Sequence, residues 1–265
     1  MSAFLKVNWI KAERTEPRSE GYYSSEAGTE TKPTDVWGAI NELPCVKKRG
    51  KDERLIVFVR CSKEGALKLA EATKNKEGKS PKELKEAAVA ATVAANQAKL
   101  ANIIEMWTIG DDYRPRVACR FFTCYAVDVT NVKGTEDPFL CAAESPLIAV
   151  IGSDGKGKEL WNKRITTNAL YDSLRNVLLE DGINIAPCVQ AIKPLIVKYR
   201  QVERDLSDAN EDLAKTVKAR SKSKSDLQPV KEQELVAKFT QERDEFLAKM
   251  NNALDLVEKT DTASK

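Results

Sequence analysis

Cys61 is the side chain that the sequence places best for chemistry. It follows the run Leu55-Ile56-Val57-Phe58-Val59 and precedes Ser62-Lys63-Glu64-Gly65-Ala66-Leu67. An apolar, β-branched run bounded by charge reads as a fully buried strand. Ser62 is suited to cap the helix that follows, running to about Thr73, because its hydroxyl can satisfy free amides of the first turn. A thiol delivered to a helix start meets the positive end of the dipole, and Arg60 and Lys63 stand beside it in sequence. All three influences lower a thiol pKa, and a lowered pKa is what a nucleophilic cysteine needs. The chain contains no histidine. That excludes Ser-His-Asp and Cys-His catalysis, histidine-ligated zinc and histidine acid–base chemistry. Catalysis, if present, falls to Asp, Glu, Lys, Tyr or an activated Cys.

The other five cysteines are Cys45, Cys119, Cys124, Cys141 and Cys188, and no two of the six form a CxxC pair. Cys119 and Cys124 fall on one expected strand at an odd separation. They should face opposite sides about 16 Å apart along it, too far to bridge. Scattered thiols of this kind read as reduced, buried, small apolar residues.

Two further motifs have structural readings that outweigh the functional ones. Gly152–Lys158 spells GxxxxGK after an apolar run. A phosphate-binding loop of that type continues with Ser or Thr and a helix. Here Glu159 follows and the next segment reads as a strand, so a hairpin turn is expected. Lys215, Lys218, Arg220, Lys222 and Lys224 form a basic run with no interleaved aromatic residue, which reads as a solvated tip. Nucleic acid is not the expected partner. The whole chain, with 43 basic and 40 acidic side chains in 265 residues, is also too balanced to announce one. No apolar run approaches the roughly 18 residues of a membrane helix, and the amino terminus lacks the apolar region of a signal peptide. A soluble, cytoplasmic protein is expected, with no cofactor and no metal.

The elements that must position Cys61 follow from periodicity. Residues 1–35 mix charge with Gly, Ser, Thr and Pro and read as a loosely held arm. Val36–Leu43 reads as a helix stopped by Pro44, with Trp37 as a core anchor. Ser80-Pro81-Lys82-Glu83 is a strong helix start, and the alanine-rich helix it opens should pack closely against a neighbour before ending near Trp107. Val117–Val129 alternates and reads as a long second strand. Pro146–Ile151 reads as a third strand, Lys158–Ile165 as a fourth paired with it, and Thr167–Leu179 as an amphipathic helix stopped at Asp181-Gly182. From Val189 the period changes. Val189, Ile192, Ile196, Tyr199, Val202, Leu206, Ala209, Leu213 and Val217 recur every three or four residues, which predicts a long helix with coiled-coil spacing. Arg220–Pro229 reads as a polar break. A second helix follows, with Leu235, Phe239, Phe246, Met250, Leu254 and Val257 on its seam and Arg243 interrupting it.

The order of elements up to Leu179 resembles that of the thioredoxin-like family. Glu144-Ser145-Pro146, then Leu147–Ile151 and Gly152–Gly155, is similar to the family's cis-proline loop, strand and hairpin. Tyr125–Val129 is similar to its second core strand. The resemblance implies an α/β fold with a thioredoxin-like central mixed sheet flanked by helices. To this the chain adds a C-terminal antiparallel helical hairpin or coiled coil. The expected organisation is an arm over 1–35, the thioredoxin-like domain over 36–183 and the helical extension over 184–265. The family's redox activity rests on CxxC at its first helix, where this chain has Cys61-Ser62-Lys63-Glu64. Cys61 also stands ahead of the family's nucleophile position, and no Thr lies one turn before it as peroxiredoxin chemistry would require. The reading is a redox-inactive member that binds a protein partner or itself through residues 189–257. The alternative is a monothiol oxidoreductase or peroxidase-like enzyme using Cys61, with Pro146 shaping its groove.

Overall fold

The computed structural model describes residues 7–12, 35–74, 80–110, 112–162, 164–223 and 229–262, with side chains described as far as 219 and 254 in the last two stretches. Most of the expected arm, residues 75–79, the side chains of Arg220, Lys222, Lys224 and Val257, and the chain end lie outside the described residues. Among the described residues no helix is long and apolar enough to cross a membrane. The fold is mixed α/β, in two compact units that divide at Val177 and Leu178.

The first unit is built on a mixed five-stranded sheet of order β1-β3-β2-β4-β5. The strands are β1 (Ile10–Ala12), β2 (Leu55–Arg60), β3 (Thr123–Asp128), β4 (Leu147–Ile151) and β5 (Gly157–Asn162). β3 runs parallel to both β1 and β2, whereas β4 runs antiparallel to β2 and β5. β2 is therefore flanked on both sides, with Val59 opposite Val127 and Phe58 opposite Ile148. That position explains its unbroken apolar run, because a strand buried on both faces has no polar alternation. β1 corrects the expectation for the arm: Ile10–Ala12 pair with Tyr125–Val127 at the sheet edge. Only three residues long and partly exposed, it carries no periodic signal to read.

One face of the sheet carries Leu55, Val57, Val59, Val127, Ala149 and Ile151, which pack with Ala39, Ile40 and Leu43 from the first helical stretch and with Leu140. That stretch is α1 (Val36–Asn41), followed by α2 (Pro44–Lys47). Asp35 Oδ1 caps α1 by accepting the Gly38 amide at 2.6 Å. Pro44 does stop α1, and it also opens α2, where a missing amide costs nothing. Trp37 is half-buried against the same core. A Cβ on Gly157 would come within 2.5 Å of the Trp37 ring.

Next come α3 (Lys63–Lys74) and α4 (Pro81–Ile103), which pack on each other. α4 begins with the expected capping box: Ser80 Oγ accepts the Glu83 amide at 3.3 Å, and Glu83 Oε2 accepts the Ser80 amide at 2.7 Å. Its buried alanines are Ala91, Ala94, Ala98 and Ala101. α4 runs on into a π-helical segment, Ile104–Gly110.

The long strand expected over Val117–Val129 is not one element. Its first part is α5 (Tyr113–Ala118), then a 3-10 turn at Cys119–Phe121, and β3 starts only at Thr123. Asp112 caps α5, accepting the Arg114 amide at 2.8 Å. Pro115 sits in the first turn, where amides need no partner. Cap and proline fix a short helix that β-branched composition alone does not reveal. Gly152–Lys156 is the expected turn between β4 and β5. Gly155 has φ +80°, and Arg49 donates to the carbonyls of Gly152 at 3.3 Å and Ser153 at 2.9 Å. A strand, β5, follows it in place of the helix that a phosphate loop would need. α6 (Thr167–Glu180) buries Leu170, Leu174, Val177 and Leu178 and ends at Gly182, with φ +78°.

The second unit contains α7 (Ala186–Ser223) and α8 (Val230–Thr262), which pack on each other. α7 starts earlier and ends later than the periodicity suggests, so Pro194 lies beyond its second turn and Arg220–Ser223 is helical. Ile192, Ile196, Tyr199 and Val202 are buried, and Leu206, Ala209 and Leu213 are half-buried. In α8, Met250 and Ala253 are buried, whereas Leu235 is exposed and Val236 half-buried. Alternating steps of four and three back from Met250 give Phe246, Arg243, Phe239 and Val236. Leu235 is thus out of phase with its own seam. Thr216 in α7 donates to Glu232 in α8 at 3.2 Å.

Candidate functional site

β2 and β3 are parallel, so their carboxy-terminal ends lie together, the usual place for a site in an α/β sheet. β2 delivers Arg60, Cys61 and Ser62 there, and β3 delivers Asp128 and Thr130. The Val129 amide donates to the Arg60 carbonyl at 3.0 Å. Asp128 Oδ1 accepts the amides of Ser62 at 3.2 Å and Thr130 at 2.9 Å, and also the Thr130 hydroxyl. Partial burial works against ionisation of Asp128, but these donors from Ser62 and Thr130 outweigh it and hold the carboxyl below its ordinary value.

Ser62 caps α3 as the sequence predicts, its Oγ accepting the Gly65 amide at 2.9 Å. The Ser62 amide also donates to Thr130 Oγ1 at 3.0 Å. Asp128 and Thr130 thus accept from the amide just ahead of α3, and Ser62 accepts from the Gly65 amide in its first turn. A Cβ on Gly65 would stand 2.7 Å from Thr130 Oγ1, so α3 starts tight against the loop after β3.

Cys61 is 1% exposed. It packs with Ala66 of α3 and with Ala94 and Ala98 of α4, with Leu69 and Ala142 beside them. Its Sγ lies 3.4 Å from Ser145 Oγ and 4.0 Å from the Ala142 carbonyl. The Ser145 hydroxyl is itself 3.0 Å from that carbonyl. Ser145–Pro146 is cis, and both residues are buried. The structure therefore brings Cys61 and the Ser145-Pro146 loop together in an enclosed contact.

The electrostatics of Cys61 run opposite to the sequence expectation. Burial pushes the thiol above its ordinary value. Hydrogen bonds from Ser145 and Thr130 oppose that rise, while the charges of Asp128 and Cys141 add to it. Arg60 does not help ionise the thiol, because its guanidinium stacks 5.2 Å from the Phe58 ring and pairs with Glu105. Lys63 is exposed. Ser145, Asp128 and Thr130 are the partners that reasoning about Cys61 alone misses. The Asp-Val-Thr sequence closing β3 is the local trace of Asp128 and Thr130, since an Asp two residues before a Thr favours a side-chain-to-backbone turn.

The remaining thiols lie elsewhere. Burial raises Cys45, and it pushes Cys188 up to about 11. The expected separation of Cys119 from Cys124 is corrected, because Cys119 belongs to the 3-10 turn and not to the strand. Cys124 Sγ is 3.8 Å from the Cys119 carbonyl, and the neighbouring Cys124 side chain and burial push the Cys119 thiol well above its ordinary value. Among the described residues no group of three or more His, Cys, Asp or Glu side chains is arranged to hold a metal ion. Lys215, in the basic run, pairs with Glu211 at 2.9 Å and Asp212 at 3.4 Å on its own helix.

Comparison with protein-family models, with curated proteins and with solved structures gives no match to this chain.

Proposed function

We propose that the chain is a thioredoxin-like protein without dithiol turnover, working as an interaction or assembly module through an antiparallel pair of carboxy-terminal helices. The family reading is supported by the run of elements from β2 to α6 on one sheet, with a cis Ser145–Pro146 bond directly before β4. A redox-inactive role is supported by the enclosure of Cys61 and the upward shift of its thiol, since an exchanging cysteine needs access and a thiolate.

One observation carries the assembly reading. Val217, Val230 and Leu235 are 50%, 52% and 47% exposed, beside the Thr216–Glu232 contact that joins α7 to α8. Apolar side chains gathered on a long helical pair leave area that a second chain can cover. Within residues 189–257 this is the surface we assign to a protein partner, with self-association as the first case. Sedimentation of the full chain over rising concentration should show an assembly, and Val217→Asp with Leu235→Asp should weaken it by at least about tenfold, since each charge must be desolvated. A monomer at every concentration removes the self-association reading.

A further inference from the structure

We infer that Cys119 and Cys124 form a reversible intramolecular disulfide, a modification site at the end of the sheet opposite Cys61. Cys124 pairs with Ile56 at the start of β2, whereas Cys61 follows the end of that strand. Five residues of strand separate the two levels, about 16 Å. The site therefore stands apart from the contacts of Cys61 and goes beyond the interaction role proposed above.

The geometry comes from the 3-10 turn. Phe122 donates its amide to the Cys119 carbonyl at 3.2 Å, which folds the chain back before β3 begins. Cys124 is thereby returned to Cys119, its Sγ lying 3.8 Å from the Cys119 carbonyl and 3.7 Å from that of Phe122. Both side chains are buried, and Cys124 is the neighbour that acts most strongly on the Cys119 thiol. A disulfide needs its two sulfurs adjacent with little backbone movement. Cys61 feels Cys141 only through its charge and hydrogen-bonds to Ser145 instead.

The oxidant is a small-molecule disulfide, for which oxidised glutathione serves. One cysteine loses its proton, and its thiolate attacks a glutathione sulfur, breaking that S–S bond and releasing one glutathione thiol. The second cysteine then loses its proton and attacks the protein sulfur of the mixed disulfide, releasing the second glutathione thiol. Two electrons and two protons pass from the pair to two glutathione molecules. Burial shields both thiols, so exchange waits for the 3-10 turn to open.

The sequence makes the product easy to read. Arg120 lies between the two cysteines, so trypsin separates Val117–Arg120 from Phe121–Lys133 unless a disulfide joins them. The full chain is equilibrated in graded glutathione buffers, from the reduced folded state and again by refolding in the buffer, then alkylated and digested without reduction. The expected result is the linked peptide pair, appearing at an oxidised-to-reduced ratio about tenfold lower than any other cysteine linkage or glutathione adduct. Cys119→Ser should abolish it, and Cys61→Ser should leave it unchanged. Separate, alkylated peptides at ratios that already modify other cysteines would overturn the proposal. So would linkage of Cys124 to a different cysteine at equal ease. Neither result bears on assembly through α7 and α8.

Discussion

The Sγ of Cys61 and the Oγ of Ser145 lie 3.4 Å apart, tying the end of the central strand to the cis-proline loop that precedes β4. Hydroxyl, carbonyl and alanine methyl groups surround the sulfur, and none of them stabilises a thiolate as a cation would. Native Cys61 should therefore alkylate more slowly than half-exposed Cys45 by at least about tenfold near neutral pH, and unfolding should erase the difference. Mass-resolved alkylation kinetics measure this. Faster reaction at Cys61 than at Cys45 would sink the enclosed-thiol reading and revive a monothiol enzyme.

Asp128 organises the same end of the sheet. Its carboxyl is held below the ordinary value despite partial burial, because Ser62 and Thr130 donate to it. A lowered folded pKa contributes stability that is present above the ordinary carboxyl value and lost as pH falls through the folded one. Part of this carboxylate faces water, so Asp128→Ala should cost only about 1 kcal/mol at neutral pH. Urea midpoints of the two proteins should converge in acid. A gap that widens in acid would contradict the assigned sign.

Gly65 sets two effects against each other. Replacing a helical glycine by alanine normally gains about 1 kcal/mol. Here the added carbon would stand 2.7 Å from Thr130 Oγ1 and 2.8 Å from Ser62 Oγ, the two hydroxyls that organise the start of α3. Steric conflict of this kind costs about 1–3 kcal/mol, so Gly65→Ala should be neutral to destabilising by about 2 kcal/mol. Thermal unfolding decides it, and a clear gain in stability would mean that Thr130 is free to move aside.

How far the sequence reveals this molecule depends on where the deciding contacts lie. β2 and the Ser80–Glu83 cap are legible because their signals are local: an unbroken apolar run, and a capping box followed by proline. β1 is not legible, since its pairing with Tyr125–Val127 comes from more than a hundred residues away. The break at Cys119 was hidden by β-branched composition that a short capped helix tolerates. At the site, sequence order places Cys61 before a helix, and the expectation of a lowered pKa follows from that local fact. The outcome is set by distant groups: Ala94, Ala98 and Ser145 enclose the thiol, and Asp128 adds negative charge. Leu235 shows the same limit on a helix, where one residue of phase separates an apolar side chain from the seam.

Cys188 gives the alkaline counterpart to Asp128. It is fully buried, and burial raises its thiol from 9.0 to about 11. Between those values the unfolded chain has lost a proton that the folded chain retains, so stability falls as pH rises through that window. Cys188→Ala should flatten this decline by an amount of the order of 1 kcal/mol. It should not remove the decline entirely, because burial also raises Cys45 and Cys61. Urea midpoints across the window test this, and an unchanged slope would show that Cys188 does not couple folding to pH.

The phase of α8 separates two apolar residues that sequence alone treats alike. Met250 is fully buried and Leu235 is largely exposed, although both were expected on one seam. Truncating a buried Met to Ala costs about 2–5 kcal/mol, while an exposed position away from special contacts stays within about 0.5 kcal/mol. Met250→Ala should therefore lower the unfolding midpoint of the helical unit strongly, and Leu235→Ala should barely move it. If Leu235 is instead a contact between chains, its truncation should lower stability only at concentrations where the chains associate. Circular dichroism melts of both variants at low and high concentration separate these effects. Equal losses at low concentration would put Leu235 back on the intramolecular seam and remove the surface assigned to a partner.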